Sequence, residues 1–224
     1  MVWVASGTEA SAQVGGSFAI ESDYRLRGYS LSAGRPSLIG QISYDDSSGA
    51  YANLLVAGAL LGGADPALVA VTGGVGYAKR LAPAISIDGG VLHSEYPQAL
   101  GGYGATRYTE VYLGVLGNNL ASHVYFSPDY FGSGIRTLYA EVEATFRAPG
   151  KLRLNAHAGR LTYLGRTARW AGNGDQYDWR ITASRRFGVL DLHLALSGGG
   201  PGRDYYEHDS HSKTVLTGGV GWTF

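Results

Sequence analysis

The charged residues of this chain alternate with apolar ones, most clearly in the stretch "SFAIESDYRLRGYS". Glu21, Asp23, Arg25 and Arg27 occupy every second position, so in an extended strand they share one face, opposite apolar residues such as Phe18. Carboxylates and guanidinium groups collected in this way can pair with each other or contact a polar solute. The same alternation places further charged and histidine side chains on polar strand faces: Asp88, Glu110, His123, Glu141, Glu143, Arg153, His157, Asp178, Arg180, Arg186, Asp191 and His193.

A second group of residues that could take part in catalysis or metal binding lies in the polar segment "GGPGRDYYEHDSHSK". A hydrolase could use His208 and Ser210 of this segment as base and nucleophile if an acidic partner oriented the histidine. His208, Asp209 and His211 could also hold a divalent cation. The segment is predicted as a loop without a positioned partner, and a solvated acidic loop is the commoner interpretation. We therefore assign no catalytic residue, no metal ligand and no cofactor.

The composition excludes several classes of protein. Lys and Arg together number 18 and are balanced by 18 Asp and Glu, so no net positive charge attracts nucleic acid. The absence of cysteine excludes disulfides, thiolate metal sites and cysteine nucleophiles. The 35 glycines stand among valine, tyrosine, leucine and threonine, a mixture that argues against disorder. No window of the sequence reaches the ~18 apolar residues that a membrane-spanning helix needs.

Period-two alternation recurs along the whole chain and predicts β-strands, with no convincing helical segment. Leu190, Leu192 and Leu194, for example, alternate with Asp191 and His193. We predict twelve strands, at residues 17–31, 37–46, 50–61, 68–80, 84–96, 107–117, 120–131, 135–147, 151–164, 177–187, 190–199 and 213–224.

The predicted connections fall into two groups by length. "DDSSG", "LAP", "GNN", "APG" and "FGV" are short and follow every second strand, whereas "PQALGGYGATR" and "GRTARWAGNGDQ" are long and polar. An even number of antiparallel strands with short turns at one end and longer loops at the other is typical of bacterial transmembrane barrels. We therefore predict an all-β fold, a transmembrane up-and-down antiparallel β-barrel of about twelve strands, with short periplasmic turns and long extracellular loops.

Aromatic residues favour the membrane barrel over a soluble β-sandwich or lipocalin-like barrel. A soluble barrel would turn its apolar face inward, and alternation alone does not tell which face points which way. Aromatic side chains near both strand ends match the interfacial girdles of membrane barrels, and the C-terminal aromatic residue is in phase with them. The predicted interface aromatics are Phe18, Tyr44, Tyr77, Phe146, Trp179, Phe187, Trp222 and Phe224, together with Tyr130 and Tyr177 near the long loops.

These patterns divide the chain into an N-terminal segment, residues 1–16, and a barrel, residues 17–224. The small residues "ASA" before Gln13 predict a signal-peptide remnant or a flexible lead-in. We expect an integral protein of the bacterial outer membrane that contacts membrane lipids. Its last strand, "GVGWTF", resembles the signal that the outer-membrane assembly machinery reads. No nucleic-acid partner is expected.

The segment "ESDYRLRGYSLSAGRPSLIGQISYDDSSGAYANLLVAG" carries a family resemblance. An acidic residue precedes Tyr-Arg-x-Arg-Gly, and a proline and then a strand followed by "GAYAN" come after it. This order resembles Gcw_chp, a family of proteobacterial outer-membrane barrels of unknown function. The resemblance implies an outer-membrane location and no particular activity. Arg25, Arg27 and Gly28 match the motif.

If the apolar face meets lipid, the polar face lines the lumen. The predicted lumen-lining residues are Glu21, Asp23, Arg25, Arg27, Glu110, His123, Glu141, Glu143, Arg153, His157, Asp178, Arg180 and Arg186. Either these charges neutralise one another and hold the interior together, or they line a narrow path for small polar solutes. The acids offset the arginines, so no anion preference follows. A channel is the leading hypothesis. The alternatives are a closed structural barrel that binds an outer-membrane protein partner, and a surface hydrolase that uses the last loop.

Overall fold

The structure, a computed structural model, describes residues 12–61, 66–97, 106–165, 175–201 and 214–224. Twelve antiparallel strands close into a barrel in which neighbours in sequence are neighbours in space. The barrel strands, with the two strands of a short inner hairpin (β2 and β3), are β1 (Gln13–Glu21), β2 (Arg25–Leu26), β3 (Tyr29–Ser30), β4 (Ser37–Asp45), β5 (Ala50–Ala59), β6 (Ala67–Ala82), β7 (Ile85–Tyr96), β8 (Thr106–Leu116), β9 (Leu120–Ser127), β10 (Arg136–Ala148), β11 (Leu152–Leu164), β12 (Gln176–Phe187), β13 (Leu190–Gly200) and β14 (Val215–Thr223). The predicted all-β, up-and-down barrel of twelve strands is confirmed.

The first and last strands seal the barrel. β1 pairs with β4 on one side and with β14 on the other, where Glu21 lies opposite Gly219. The terminal residue extends this seam, because Phe224 and Gly16 exchange two backbone hydrogen bonds of 3.0 Å. The Phe224 ring also stacks on Phe18, with 5.9 Å between the ring centroids. The aromatic C-terminus is therefore part of the closure of the sheet.

The apolar face of the barrel points outward and the polar face inward. Leu113 and Leu194 are 74% and 60% exposed, whereas Glu110 and Asp178 are 4% and 6% exposed. A water-soluble barrel would show the reverse, because burial of apolar side chains drives its folding. The outward belt matches a lipid-facing surface and excludes the soluble alternatives. No helix among the described residues is long and apolar enough to cross a membrane.

The connections differ at the two ends of the barrel. Residues 46–49, 83–84, 117–119, 149–151 and 188–189 make tight connections at one end, which we call the short-turn end. The opposite, long-loop end carries residues 22–36 and 128–135, together with connections that lie partly outside the described residues. The two ends therefore differ as the sequence predicts.

The predicted interface aromatics other than Tyr130 lie on the outward face. Phe18 packs against Trp222 across the β1–β14 seam, with ring centroids 5.5 Å apart. The exposed members are Phe18, Tyr44, Tyr77, Phe146, Tyr177, Trp179, Phe187 and Phe224. Their positions suit the interfacial girdles of a membrane barrel, and that role stays a prediction.

The predicted first strand, residues 17–31, is wrong at both ends. β1 begins at Gln13 and ends at Glu21. Residues 22–36 then turn into the barrel as an inner hairpin whose two arms are β2 and β3. Period-two alternation continues through these arms, so the sequence pattern conceals the reversal. The predicted signal remnant lies mostly outside the residues that the structure describes, which begin at residue 12, and it stays a prediction.

Two residues with positive φ make the tip of the inner hairpin. Arg27 has φ 48° and Gly28 has φ 82°. Positive φ at both central positions gives the tight turn whose twist suits a two-residue hairpin. Glycine adopts this conformation freely, whereas a residue with a Cβ atom is strained by about 1–2 kcal/mol. An arginine at this position therefore has to be stabilised by contacts that its side chain makes elsewhere.

The predicted placement of Tyr130 on the outward face is also wrong. β9 ends at Ser127, and Tyr130–Gly132 form a short 3-10 turn that folds into the barrel. Tyr130 is only 3% exposed. The chain leaves the strand here because Pro128 has no N–H for the sheet ladder. The strand predicted at 120–131 is accordingly too long.

Candidate functional site

The inner hairpin, residues 22–36, crosses the barrel interior. It starts from β1, and the Arg27 side chain at its tip reaches Glu110 of β8, on the opposite side of the ring of strands. The backbone at Gly28 approaches β12 and β13, where an added Cβ would lie 3.1 Å from Asp178 and 3.3 Å from the Cα of Gly199. The hairpin therefore spans the lumen in the long-loop half of the barrel.

Asp23 organises the hairpin from within. The Arg25 guanidinium donates to one of its carboxylate oxygens at 2.6 Å, and the Ser30 and Ser32 hydroxyls donate to the other. The backbone N–H of Tyr24 in turn donates to the Ser32 hydroxyl at 2.9 Å. Asp23 is buried, and a buried carboxylate with several donors is a stable anchor. The hairpin thus enters the lumen as an ordered unit.

The Arg27 guanidinium occupies a site made of one carboxylate and three tyrosines. Its Nη2 atom lies 2.9 Å from both carboxylate oxygens of Glu110, and its Nη1 donates to the Tyr130 hydroxyl at 3.3 Å. The guanidinium carbon lies 3.9 Å from the ring centroid of Tyr139, 5.6 Å from that of Tyr130 and 5.7 Å from that of Tyr125. These are cation–π distances. We call Glu110, Tyr125, Tyr130 and Tyr139 the arginine cage.

The ion pair between Arg27 and Glu110 is largely buried inside the barrel. The Arg27 and Glu110 side chains are 9% and 5% exposed. Burial by itself lowers the pKa of the Arg27 guanidinium, but Glu110 and the surrounding tyrosines raise it well above its ordinary value. Removing one partner of a buried ion pair typically costs about 3–5 kcal/mol, because the other charge is left unpaired. The pair is therefore a strong attachment of the hairpin to the wall.

A buried aromatic layer surrounds the cage in the long-loop half. Leu31 of the inner hairpin is fully buried and belongs to one apolar cluster with Tyr96, Tyr108, Tyr130 and Phe131. Phe131 lies 4.8 Å from Tyr108 and 5.2 Å from Tyr96 between ring centroids. Two connections, the inner hairpin and residues 128–135, thus fill this half of the lumen with packed side chains.

Glycines on the inward face let polar side chains meet across an intervening strand. Gly114 of β8 lies opposite both Asp88 of β7 and His123 of β9. The Asp88 Oδ1 and His123 Nε2 atoms approach to 3.3 Å above it. In the same way Gly219 of β14 lies opposite both His193 and Glu21. A side chain on either glycine would occupy the space in which the two partners meet.

Two further pairs follow the same rule. The Tyr51 and Tyr112 hydroxyls lie 2.5 Å apart over Gly76 and Gly90. The Tyr139 hydroxyl reaches over Gly159 and donates to Asp178 at 3.1 Å. Five inward-facing glycines therefore make room for polar groups to meet around the inner wall.

Histidines and carboxylates alternate along the inner wall from β9 to β12. His123 lies 3.8 Å from Glu141, and Glu141 lies 4.0 Å from His157. His157 in turn lies 2.7 Å from Asp178 and 3.4 Å from Glu143. The wall thus offers closely spaced hydrogen-bonding groups of both signs around part of its circumference.

The charges become more exposed toward the short-turn end. Arg153 contacts Asp191 at 2.6 Å, and Arg186 lies 3.9 Å from the same carboxylate. The Arg180 and Glu143 side chains are 48% and 34% exposed, against 9% and 5% for Arg27 and Glu110. The more exposed ion pairs of the lumen therefore lie toward the short-turn end, although Asp88 and His123 there are buried, and the inner hairpin crosses the long-loop half.

The structure places the predicted lumen residues inside the barrel. Asp23, Arg25 and Arg27 lie on the inner hairpin rather than on β1. The remaining residues lie on inward strand faces: Glu21, Glu110, His123, Glu141, Glu143, Arg153, His157, Asp178, Arg180 and Arg186. Arg25 pairs with Asp23 of its own hairpin. Whether these residues contact a passing solute stays a prediction.

The loop candidates cannot be placed in the same way. His208, Asp209 and His211 lie outside the described residues, as does Ser210. In the part of the chain that the structure describes, no group of His, Asp and Glu is arranged to hold a metal ion.

The lumen tyrosines are inward-facing residues of the candidate site that the sequence analysis missed. Tyr112, Tyr125 and Tyr139 stand in phase with Glu110, His123 and Glu141, and this phase could have placed them inside. Their partners depend on the register of neighbouring strands, which a single sequence does not specify.

Comparisons with known proteins agree with this architecture. A model of a family described as a bacterial protein of unknown function (Gcw_chp) matches residues 5–198. No curated protein sequence matches the chain. Among solved structures, the chain is similar to the NanC porin at 11% identity, covering 94% of this chain and 99% of that one, with a TM-score of 0.60.

The chain is also similar to the KdgM porin at 12% identity, covering 94% of this chain and 99% of that one, with a TM-score of 0.53. A second structure of the KdgM porin, in complex with disordered oligogalacturonate, matches at 12% identity over the same shares, with a TM-score of 0.52. At these identities the likeness shows the fold, which is a porin-type barrel.

Proposed function

We propose that this chain, which belongs to the Gcw_chp family of bacterial proteins of unknown function, is an outer-membrane channel for small polar solutes. The observation that carries the proposal is the inverted barrel, with an apolar outer belt and an inner wall lined by ion pairs and hydrogen-bonding groups. A barrel that had only to be stable would gain more from an apolar packed interior than from buried charges.

The outer-membrane location rests on the same inversion and on the porin-type fold. The short-turn end would face the periplasm and the long-loop end the exterior, as in other barrels of this type. The exposed belt would contact lipid. The last strand, which seals the barrel through Phe224, would be the part presented to the assembly machinery.

The mixed charge of the wall sets the class of solute. One similar structure holds an acidic oligosaccharide, but here each lumen arginine that forms an ion pair does so with a carboxylate of the described wall or hairpin. We therefore propose passage of small polar molecules without a general preference for anions.

Conduction requires the inner hairpin to move. The hairpin crosses the long-loop half and is attached by Arg27 to the arginine cage. The structure would thus correspond to the closed form of the proposed channel, and the more exposed charges toward the short-turn end would line its periplasmic entrance. Breaking the Arg27–Glu110 pair should favour opening.

Swelling of proteoliposomes in isotonic solutions of a small neutral sugar tests this function. We expect liposomes that carry Arg27→Ala to swell faster than those with the wild-type protein, because the hairpin has lost its attachment. Arg160→Ala is the matched control, since Arg160 is an exposed outward-facing arginine that pairs with Asp175. Equal swelling of Arg27→Ala liposomes and protein-free liposomes, with the barrel shown to be folded, would refute the channel.

A closed structural barrel is the second candidate, and the buried aromatic layer favours it. Leu31, Val69 and Tyr139 are at most 2% exposed, which is the packing of a permanent core. In that case an outer-membrane protein partner would bind the outer surface or the loops, and the hairpin would never leave. The swelling experiment separates the two candidates.

A further inference from the structure

We infer that the arginine cage is a recognition site for a guanidinium-type cation, and that Arg27 fills it in this structure as a ligand carried by the chain itself. The inference deepens the proposed channel, on which it rests for delivery of the solute, by naming a solute class. Binding itself can be measured without any conduction.

The cage fits the shape and charge of a guanidinium group. Glu110 accepts two hydrogen bonds from Nη2 of the Arg27 guanidinium, and the Tyr130 hydroxyl accepts one from Nη1. The central carbon of the guanidinium lies 3.9 Å from the centroid of the Tyr139 ring. A guanidinium is planar, is more weakly hydrated than an ammonium ion and stacks on aromatic rings. An ammonium ion would have to give up more hydration and would use fewer of these contacts.

Two of the three cage rings are polarised in favour of a cation. The Tyr125 hydroxyl donates to Glu141 at 2.9 Å, and the Tyr139 hydroxyl donates to Asp178 at 3.1 Å. A phenol that donates its proton toward a carboxylate gains electron density in its ring. Because cation–π attraction depends on that density, both rings bind a cation more strongly than isolated tyrosines would.

The cage is left with an unpaired negative charge when Arg27 is absent. Among the described residues, Arg27 is the cation that the structure pairs with Glu110. Glu110 lies deep in the barrel, so water compensates its charge poorly. The empty cage would therefore attract a cation of the right shape.

The hairpin presents Arg27 as a tethered competitor. Arg27 takes up an unfavourable backbone conformation at the hairpin tip, with φ 48°, and the adjoining network around Asp23 holds that tip in place. A group on a short flexible linker acts at an effective concentration of the order of mM, and the ordered hairpin holds Arg27 at a higher one. A free solute must exceed this concentration to displace Arg27, so the wild-type protein should respond weakly and a variant without Arg27 strongly.

The experiment measures the thermal unfolding of detergent-solubilised Arg27→Ala protein. The folded fraction at each temperature is read from heat-modifiable gel migration. Methylguanidinium chloride is the probe, with methylammonium chloride and sodium chloride at equal concentration as controls. We expect methylguanidinium at millimolar concentration to raise the melting temperature of Arg27→Ala, with a half-maximal concentration about tenfold below that of methylammonium. Arg27→Ala/Glu110→Gln should lose this difference.

Failure of Arg27→Ala to refold is itself informative. In that case the yield of refolding becomes the readout, and rescue by methylguanidinium but not by methylammonium supports the site. Equal responses to the three salts, or an equal response of the double variant, would overturn it. No step of this test requires transport through the barrel. The binding test can therefore fail while the swelling experiment succeeds, and the swelling experiment can fail while the binding test succeeds.

Discussion

At the scale of single residues, the inner wall depends on pairing large polar side chains with glycines. Glu21 and His193 lie on strands that are not neighbours, and they meet at 2.9 Å because Gly219 lies between them without a side chain. This pair also bridges the seam where the first and last strands close the barrel.

Gly219→Ala should destabilise the barrel by about 1–3 kcal/mol, the usual range for overpacking. An added Cβ would lie 2.5 Å from the Glu21 carboxylate and 2.6 Å from the His193 ring, so the pair has to separate. Thermal unfolding in detergent measures the effect. Gly73→Ala is the control, because its nearest neighbours lie 3.9 Å away. Equal effects of the two substitutions would contradict this role of the lumen glycines.

At the scale of elements, the inner hairpin is the one that crosses the long-loop half of the lumen. Ser32 in this hairpin is fully buried and donates to Asp23 at 2.9 Å. The hairpin is attached at its tip by Arg27 and by apolar packing of Leu31. Its opening should therefore depend on the Arg27–Glu110 pair.

Thiol labelling can report this opening, because the chain has no cysteine of its own. Ser32→Cys should react with a maleimide more than tenfold more slowly than the exposed turn variant Ser47→Cys, since a buried site reacts only when it opens. Adding Arg27→Ala should accelerate labelling at position 32 and leave position 47 unchanged. Fast labelling of Ser32→Cys alone would mean that the hairpin is not held inside the barrel.

The barrel strands could be predicted from the sequence, and the hairpin could not. A strand with one face toward lipid and one toward a polar lumen alternates strictly, so β13, with its four leucines, is evident in the sequence. The arms of the inner hairpin alternate as well, and its tip carries Arg27-Gly28 rather than the usual Asn-Gly or Asp-Gly signal.

The sequence could predict which residues face the lumen, but it could not predict which of them pair with each other. Each charged residue on an inward face follows from alternation, once the apolar face is assigned to lipid. That Glu110 pairs with Arg27, 83 positions away, depends on how the hairpin crosses the closed barrel. No local pattern carries that information.

At the scale of the whole molecule, the barrel is inverted relative to a soluble protein. Its exposed apolar belt has no function in water and would promote aggregation. The same belt is the expected outer surface of a protein that folds in a lipid bilayer.

Two arginine substitutions test the lipid-facing belt. Leu113 on β8 and Val189 in a short turn are both 74% exposed. In a bilayer we expect Leu113→Arg to cost about 2–4 kcal/mol and Val189→Arg about 0–1 kcal/mol, because the penalty depends on membrane depth. Reversible unfolding in lipid vesicles measures both. Equally small costs would indicate that the belt does not contact hydrocarbon.

Single-channel recording in a planar bilayer tests the central claim most directly, namely that the polar interior is a solute path closed by the inner hairpin. We expect rare openings in the wild-type protein and in Arg160→Ala, and frequent discrete current steps in Arg27→Ala, whose uncompensated Glu110 shifts the selectivity toward cations. A silent Arg27→Ala bilayer, with heat-modifiable migration showing that the barrel has folded, would contradict the channel and leave the closed structural barrel.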